Sequence, residues 1–212
     1  MTISTLALPT AAASPTRTGP PSALVPWLHR FGVDAYHRMF EVGILTEDDD
    51  VELLNGWIVR KMPRNPPHDT ALMLILEALR AILPSDWVIR GQSAVTASES
   101  ESEPDVAVVR GPIRRYADHH PRPDETALVI EVADSSLGRV RNEKGPIYAR
   151  DSVPVYWIVN VPDSRIEVYT DPTGPTEEPG YRQHRDYQPT DVLPVVLDGR
   201  EIGTITVGDV LP

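Results

Sequence analysis

The chain contains no cysteine, so disulfides and thiolate metal centres are excluded and any metal must rest on carboxylates or histidines. It has no apolar run near the ~20 residues of a membrane span. No charged lead followed by an apolar block marks it for secretion. These absences predict a cytoplasmic protein that does not enter the membrane. Positive charge is also scarce. A formal net charge of -11 argues against nucleic-acid binding driven by overall charge, though not against a local basic face. Bases do cluster, at Arg60, Lys61 and Arg64, at Arg110, Arg114 and Arg115, and at Arg139, Arg141 and Lys144. They read equally as scattered solvated charge or as a phosphate-binding rim.

The 212 residues suffice for one sizeable core or for a domain with tails. Residues 1–25 are rich in Ala, Thr, Ser and Pro without periodicity, which predicts a disordered tail. Structure is expected from near Trp27, with a short helix over Ala35 to Glu41 capped by Asp34. Val51 to Leu54, Asn55-Gly56 and Trp57 to Val59 form a strong hairpin signal, because Asn-Gly accepts the positive φ angles of a type I′ turn. Glu52 alternates with Val51 and Leu53. On its own it reads as solvated, unless the sheet is covered on both sides. A second helix is expected from His68 or Asp69, as cap, to Leu83, with Leu72, Ile75, Leu76 and Leu79 at helical spacing. The strands that follow are short pieces at Trp87 to Ile89 and Ala94-Val95, a strand over Pro104 to Val109, and an apolar run from Leu128 to Ala133. Asp134 to Arg141 reads as a turn, and Gly145 to Arg150 as a helix with Pro146 in its first turn. Val155 to Val159 with Ile166 to Tyr169 gives a second hairpin, and Val195 to Val207 around Asp198-Gly199 a third. The order predicts a mixed α+β fold with one mixed sheet and helices laid against it.

Glu131 sits in the middle of the most apolar strand. Burying an ionised carboxylate there costs several kcal/mol unless a cation or strong donors meet it. Asp105 enters the neighbouring apolar run, and Lys144 follows a polar loop. Two strand-borne acids and a lysine are the parts of a magnesium site that hydrolyses phosphodiesters. Magnesium takes one or two carboxylates with water and substrate phosphate, and the lysine orients or deprotonates the water or holds a phosphate oxygen. A lysine near a helix N-terminus adds a second positive element. Each residue also has a plainer reading: Asp105 as a strand start, Glu131 paired with Arg141 or Lys144, Lys144 as a surface lysine, and His68 as a helix cap.

The segments Glu52 to Gly56, Glu103 to Val108, Val129 to Val132, Lys144 to Tyr148 and Val153 to Val159 resemble the Uma2 family. This is a bacterial family of restriction endonuclease-like proteins within the PD-(D/E)xK nuclease superfamily. The resemblance runs from about Asp34 to the C-terminus. It implies a single restriction endonuclease-like domain over 26–212: a mixed sheet flanked by helices, with extra N- and C-terminal β-hairpins. It also implies an Mg2+-dependent endonuclease acting on nucleic acid, DNA in particular, as a homodimer, with Mn2+ able to substitute. By position it makes Glu52 the leading acid, Asp105 and Glu131 the metal ligands, and Lys144 a lysine migrated to the following helix. The wider superfamily's lysine position holds Ala133 here, and Val140 stands where family members show an aspartate. Gln92, on an adjacent strand, is implied as a helper, and His68, from its place at the start of its helix, is a second helper candidate. A second reading, from another class, is a non-catalytic member of the fold that binds nucleic acid or a protein partner. A glycosidase-like acid pair is a third.

Overall fold

The computed structural model describes residues 27–212; the expected tail at 1–25 lies outside them. After helix α1 (Val33–Glu41), strands β1 (Val51–Leu54) and β2 (Trp57–Arg60) form the first hairpin. Its turn residues Asn55 and Gly56 have φ of 51° and 78°, as the Asn-Gly dipeptide requires. Helix α2 (Pro66–Ile82) follows, then β3 (Trp87–Gly91), β4 (Val95–Thr96), β5 (Glu101–Ser102), β6 (Val106–Arg110) and β7 (Thr126–Ala133). A helical stretch of α3 (Leu137–Arg139), a π turn (Val140–Lys144) and α4 (Gly145–Arg150) leads to β8 (Val155–Asn160). The chain ends in β9 (Arg165–Pro172), β10 (Tyr181–Tyr187), β11 (Val192–Leu197) and β12 (Arg200–Thr206).

The strands form three sheets rather than the expected one. Six strands in the order β10-β9-β8-β7-β6-β3 make the central sheet, β2-β1-β5-β4 a second, and β11-β12 a third. Only β7 and β8 run parallel in the central sheet, and a parallel pair requires a crossover, which the 137–150 helical stretch supplies. That crossover places a helix directly over the strand that carries Glu131.

All eight residues of β7 are buried. Ile130 and Val132 face Leu72, Ile75 and Leu79 of α2 in the main core, while Val129 and Ala133 face Val140, Tyr148 and Tyr156 in a second core. Alternation puts Glu131 on this second face, beneath the crossover helix. The sheet is therefore covered on both sides.

Local signals explain most differences from expectation. Gly32, not Asp34, caps α1. Asn65 caps α2, its side chain accepting from the His68 N–H at 3.2 Å. Pro66 and Pro67 occupy the first turn, where proline's missing donor costs nothing, so the helix starts earlier than expected. β6 begins at Val106, leaving Pro104 and Asp105 ahead of it, and Glu101-Ser102 joins a different sheet. The segment expected as a turn from Asp134 is helical from Leu137 onward. Pro146 has no N–H for the carbonyl four residues back. The Gly145 N–H instead reaches the Val140 carbonyl, a five-residue step that widens the helix into a π turn. β10 (YRQHRDY) carries no strand signal in the sequence because it is an exposed edge strand with no apolar alternation.

Candidate active site

β6 and β7 pair antiparallel with Val106 opposite Ile130, which sets Asp105, one residue ahead of β6, against Glu131. Both line one small cavity together with Glu52, His68, Arg139 and Lys144. With about 90 Å³ of solvent space it has room for a few water molecules, each taking roughly 30 Å³.

Glu131 is buried, and its Oε1 accepts from Lys144 Nζ at 2.9 Å and from the Tyr148 hydroxyl at 2.7 Å. Lys144 Nζ also lies 3.2 Å from Glu52 Oε2 and donates to the Glu103 carbonyl at 3.4 Å. Glu52, read alone as solvated, is 3 % exposed because the crossover helix covers it. Its Oε1 is 3.1 Å from Arg139 Nη2, and its Oε2 accepts from the Glu103 N–H at 3.2 Å. Asp105 Oδ2 accepts from the Val132 N–H at 2.8 Å and from His68 Nε2 at 3.2 Å.

His68 therefore does more than open a helix: the cap of α2 is Asn65, and the imidazole reaches into the cavity. Gln92, expected as a helper on an adjacent strand, lines a different and larger cleft. Arg141 pairs with Glu167 rather than with Glu131. Lys144 lies inside a continuous helical stretch, so no free helix N-terminus stands beside it. Tyr148 and Arg139 were missed. Tyr148 was findable, since four residues after Lys144 is the same helix face. Arg139 was hidden by the π turn, which changes the facing residues.

Burial pushes the Glu131 carboxyl up to about 7; Lys144 pulls it back, and the charges of Asp105 and Glu52 add to the rise. Burial works against the charge on Lys144, but Glu131 and Glu52 outweigh it and hold the ammonium above its ordinary value. Lys144 is a fixed cation at neutral pH. Burial would lower the His68 imidazole, yet its hydrogen bond to Asp105 and that carboxylate's charge turn this into a net rise.

The donor set suits a hard cation. Asp105 Oδ1 and Glu131 Oε2 make no hydrogen bond among the described residues, while their sister oxygens are anchored. Among the described residues no group of three or more His, Asp or Glu side chains could hold an ion. An ion at Asp105 and Glu131 would complete its shell with water and substrate phosphate, as magnesium commonly does.

No helix among the described residues is long and apolar enough to cross a membrane. No match was found among curated protein sequences. Among solved structures the chain is similar to a "putative nuclease belonging to DUF820" from Anabaena variabilis. The TM-score is 0.62 at 12 % identity, over 85 % of this chain and 97 % of that one. At that identity the likeness speaks for the fold, a restriction endonuclease-like mixed sheet. The family model Uma2, "Putative restriction endonuclease", matches residues 33–206, and the chain belongs to that family.

Proposed function

We propose that this chain is a nuclease that hydrolyses phosphodiester bonds of DNA with Mg2+ or Mn2+ held by Asp105 and Glu131. The observation that carries the reading is that these two acids line one cavity, each with one oxygen anchored by protein donors and the other without a hydrogen bond among the described residues. When bound there, a divalent cation would neutralise the charge that develops on the phosphoryl oxygens.

The remaining work belongs to the chain's own side chains. Lys61, Arg64 and Arg139 line the same cavity and supply positive charge for a phosphate. Lys144 stays protonated beside Glu131 and Glu52, which favours orienting a water or a phosphate oxygen over removing a proton. Tyr148 and Lys144 fix the rotamer of Glu131, and His68 with the Val132 N–H fixes Asp105. Preorganised ligands of this kind lose little entropy when a cation arrives. The homodimer implied by the resemblance belongs to the same proposal, and light scattering on the purified chain tests it.

One observation favours the non-catalytic alternative. Lys144 is engaged by two carboxylates and a carbonyl, which is also how a structural ion pair looks. A manganese titration by calorimetry separates the two readings. Binding by the wild type that Glu131→Ala loses supports the nuclease. No binding at millimolar manganese, with or without a DNA duplex present, overturns it.

A further inference from the structure

Beside the catalytic cavity lies a second and larger cleft, between α1 on one side and the 116–122 segment with the end of β3 on the other. The two cavities share Asp50 and Lys61 in their linings. Lys61 also bonds Glu103 Oε1 at 2.8 Å, and the carbonyl of Glu103 accepts from Lys144. The second cleft thus opens within one side chain of the proposed reaction centre. Its volume of about 960 Å³ is at the upper end of small-molecule sites, roughly 300–1,000 Å³, whereas the catalytic cavity is too small for a nucleotide.

Its charge excludes the simplest occupant. Seven acidic side chains line it against Lys61, Arg90, Arg122 and three histidines, so a phosphate would meet net repulsion. A neutral group would not. Both walls carry aromatic rings. Phe40 packs edge-on to Tyr36 at 5.2 Å on the α1 side, and His119 edge-on to Tyr116 at 5.7 Å on the other. Polar side chains line the same space. Arg90 Nε, Gln92 Nε2 and His120 Nδ1 are buried atoms with no hydrogen-bond partner among the described residues. Glu101 Oε2 is taken by His37 at 2.7 Å and Thr96 at 2.6 Å, and its Oε1 makes no hydrogen bond among the described residues. Buried polar atoms without partners are unfavourable, so three of them on residues that line one cleft call for a ligand or water to satisfy them.

A nucleobase fits this lining: flat, uncharged, with donors and acceptors along its edge and a face that packs on aromatic rings. We propose that this cleft receives a base of the substrate strand, unstacked from its neighbours, while the adjoining phosphate lies at Lys61 and the catalytic cavity. The inference rests on the nuclease reading and deepens it: Gln92 and Arg90 become base-reading residues and not helpers of the chemistry. Aromatic stacking with hydrogen bonds to a splayed base is how single-stranded nucleic acid is commonly read. The proposal therefore favours a single-stranded or locally opened substrate over an intact duplex.

The test uses short single-stranded DNA of random sequence carrying 5-iodouracil, bound to the wild-type chain without divalent metal, cross-linked by light and mapped by mass spectrometry. Cross-links to Phe40 or His119, the more exposed rings of the two walls, are the expected result. A second arm measures affinity by fluorescence anisotropy for the same strands and for strands of abasic sugar-phosphate. Gln92→Leu should weaken binding of the base-bearing strands about tenfold, the equivalent of one good hydrogen bond, and leave the abasic strands unchanged. Cross-links elsewhere, or equal loss for both strand types, would overturn the base site while leaving the nuclease reading intact. Failure of both strand types to bind, with manganese present as well as without it, would overturn both.

Discussion

Replacing Lys144 by Met tests whether the buried charges of the cavity are as interdependent as their geometry implies. Lys144 is 7 % exposed and stands 2.9 Å from Glu131 and 3.2 Å from Glu52, so one cation serves two buried carboxylates. Removing one partner from a buried ion pair costs about 3–5 kcal/mol, because the charge left behind is unmatched. That is a large share of a typical stability of about 5–15 kcal/mol, but it leaves the variant folded. The loss should depend on pH. Glu131 already titrates at about 7, and without Lys144, which pulls it down, it moves higher. A carboxyl whose folded value is raised binds its proton more tightly folded than unfolded, so its contribution is present at low pH and is lost as pH rises through the folded value. Near pH 5 the variant's Glu131 is neutral and needs no cation, while Glu52 keeps Arg139 at 3.1 Å. The loss there should shrink to about 1–2 kcal/mol, the cost of hydrogen bonds and packing. Urea unfolding of wild type and Lys144→Met, in metal-free buffer near pH 5 and near pH 8, reads both values. An equal loss at the two pH values would refute the coupling between Lys144 and Glu131.

Further predictions concern parts of the fold away from that pair. Burial tends to raise the Glu167 carboxyl, but hydrogen bonds from Arg141, Asn160 and Tyr169 outweigh this and hold it at about 2 against an ordinary 4.5. Its stabilisation of about 3 kcal/mol should be present above pH 4.5 and disappear as pH falls toward 2. Glu167→Gln should flatten the acid limb of an unfolding curve, and an unchanged limb would count against the network. Asn65→Ala removes the side-chain cap of α2 and should cost about 1 kcal/mol in thermal or urea unfolding, with Asn65→Gly costing less. Leu79→Ala, at a fully buried position between α2 and the central sheet, should cost about 2–5 kcal/mol; a loss below ~1 kcal/mol would mean that α2 does not pack there.

Local chemistry made much of this molecule legible. Asn55-Gly56 and Asp198-Gly199 place their residues at positive φ, and both hairpins stand where those dipeptides predict. Leu72, Ile75, Leu76 and Leu79 share one helix face by spacing alone, and that face is buried. Errors arose where a residue's role depends on its neighbours in space. Glu52 read as solvated because nothing in its own strand announces a helix across the sheet. His68 reads as a cap because the competing cap, Asn65, stands ahead of two prolines that occupy the helix's first turn. The exposed strand β10 has no buried face to leave an apolar period, so pattern could not find it.

By itself, the sequence determined the hairpin turns, the apolar faces of α2 and β7, and the acids at 105 and 131 that resemble the Uma2 pattern. Turn dihedrals, side-chain periodicity and residue chemistry are all set within a few bonds along the chain. Only the tertiary structure decided that Glu52, Asp105, Glu131 and Lys144 share one cavity with Arg139, that Tyr148 bonds Glu131, and that Gln92 belongs to the cleft next door. Those outcomes depend on strand register and on the parallel crossover that lays 137–150 over the sheet. A shift of one residue in the β6–β7 register would turn Asp105 and Glu131 to opposite faces of the sheet.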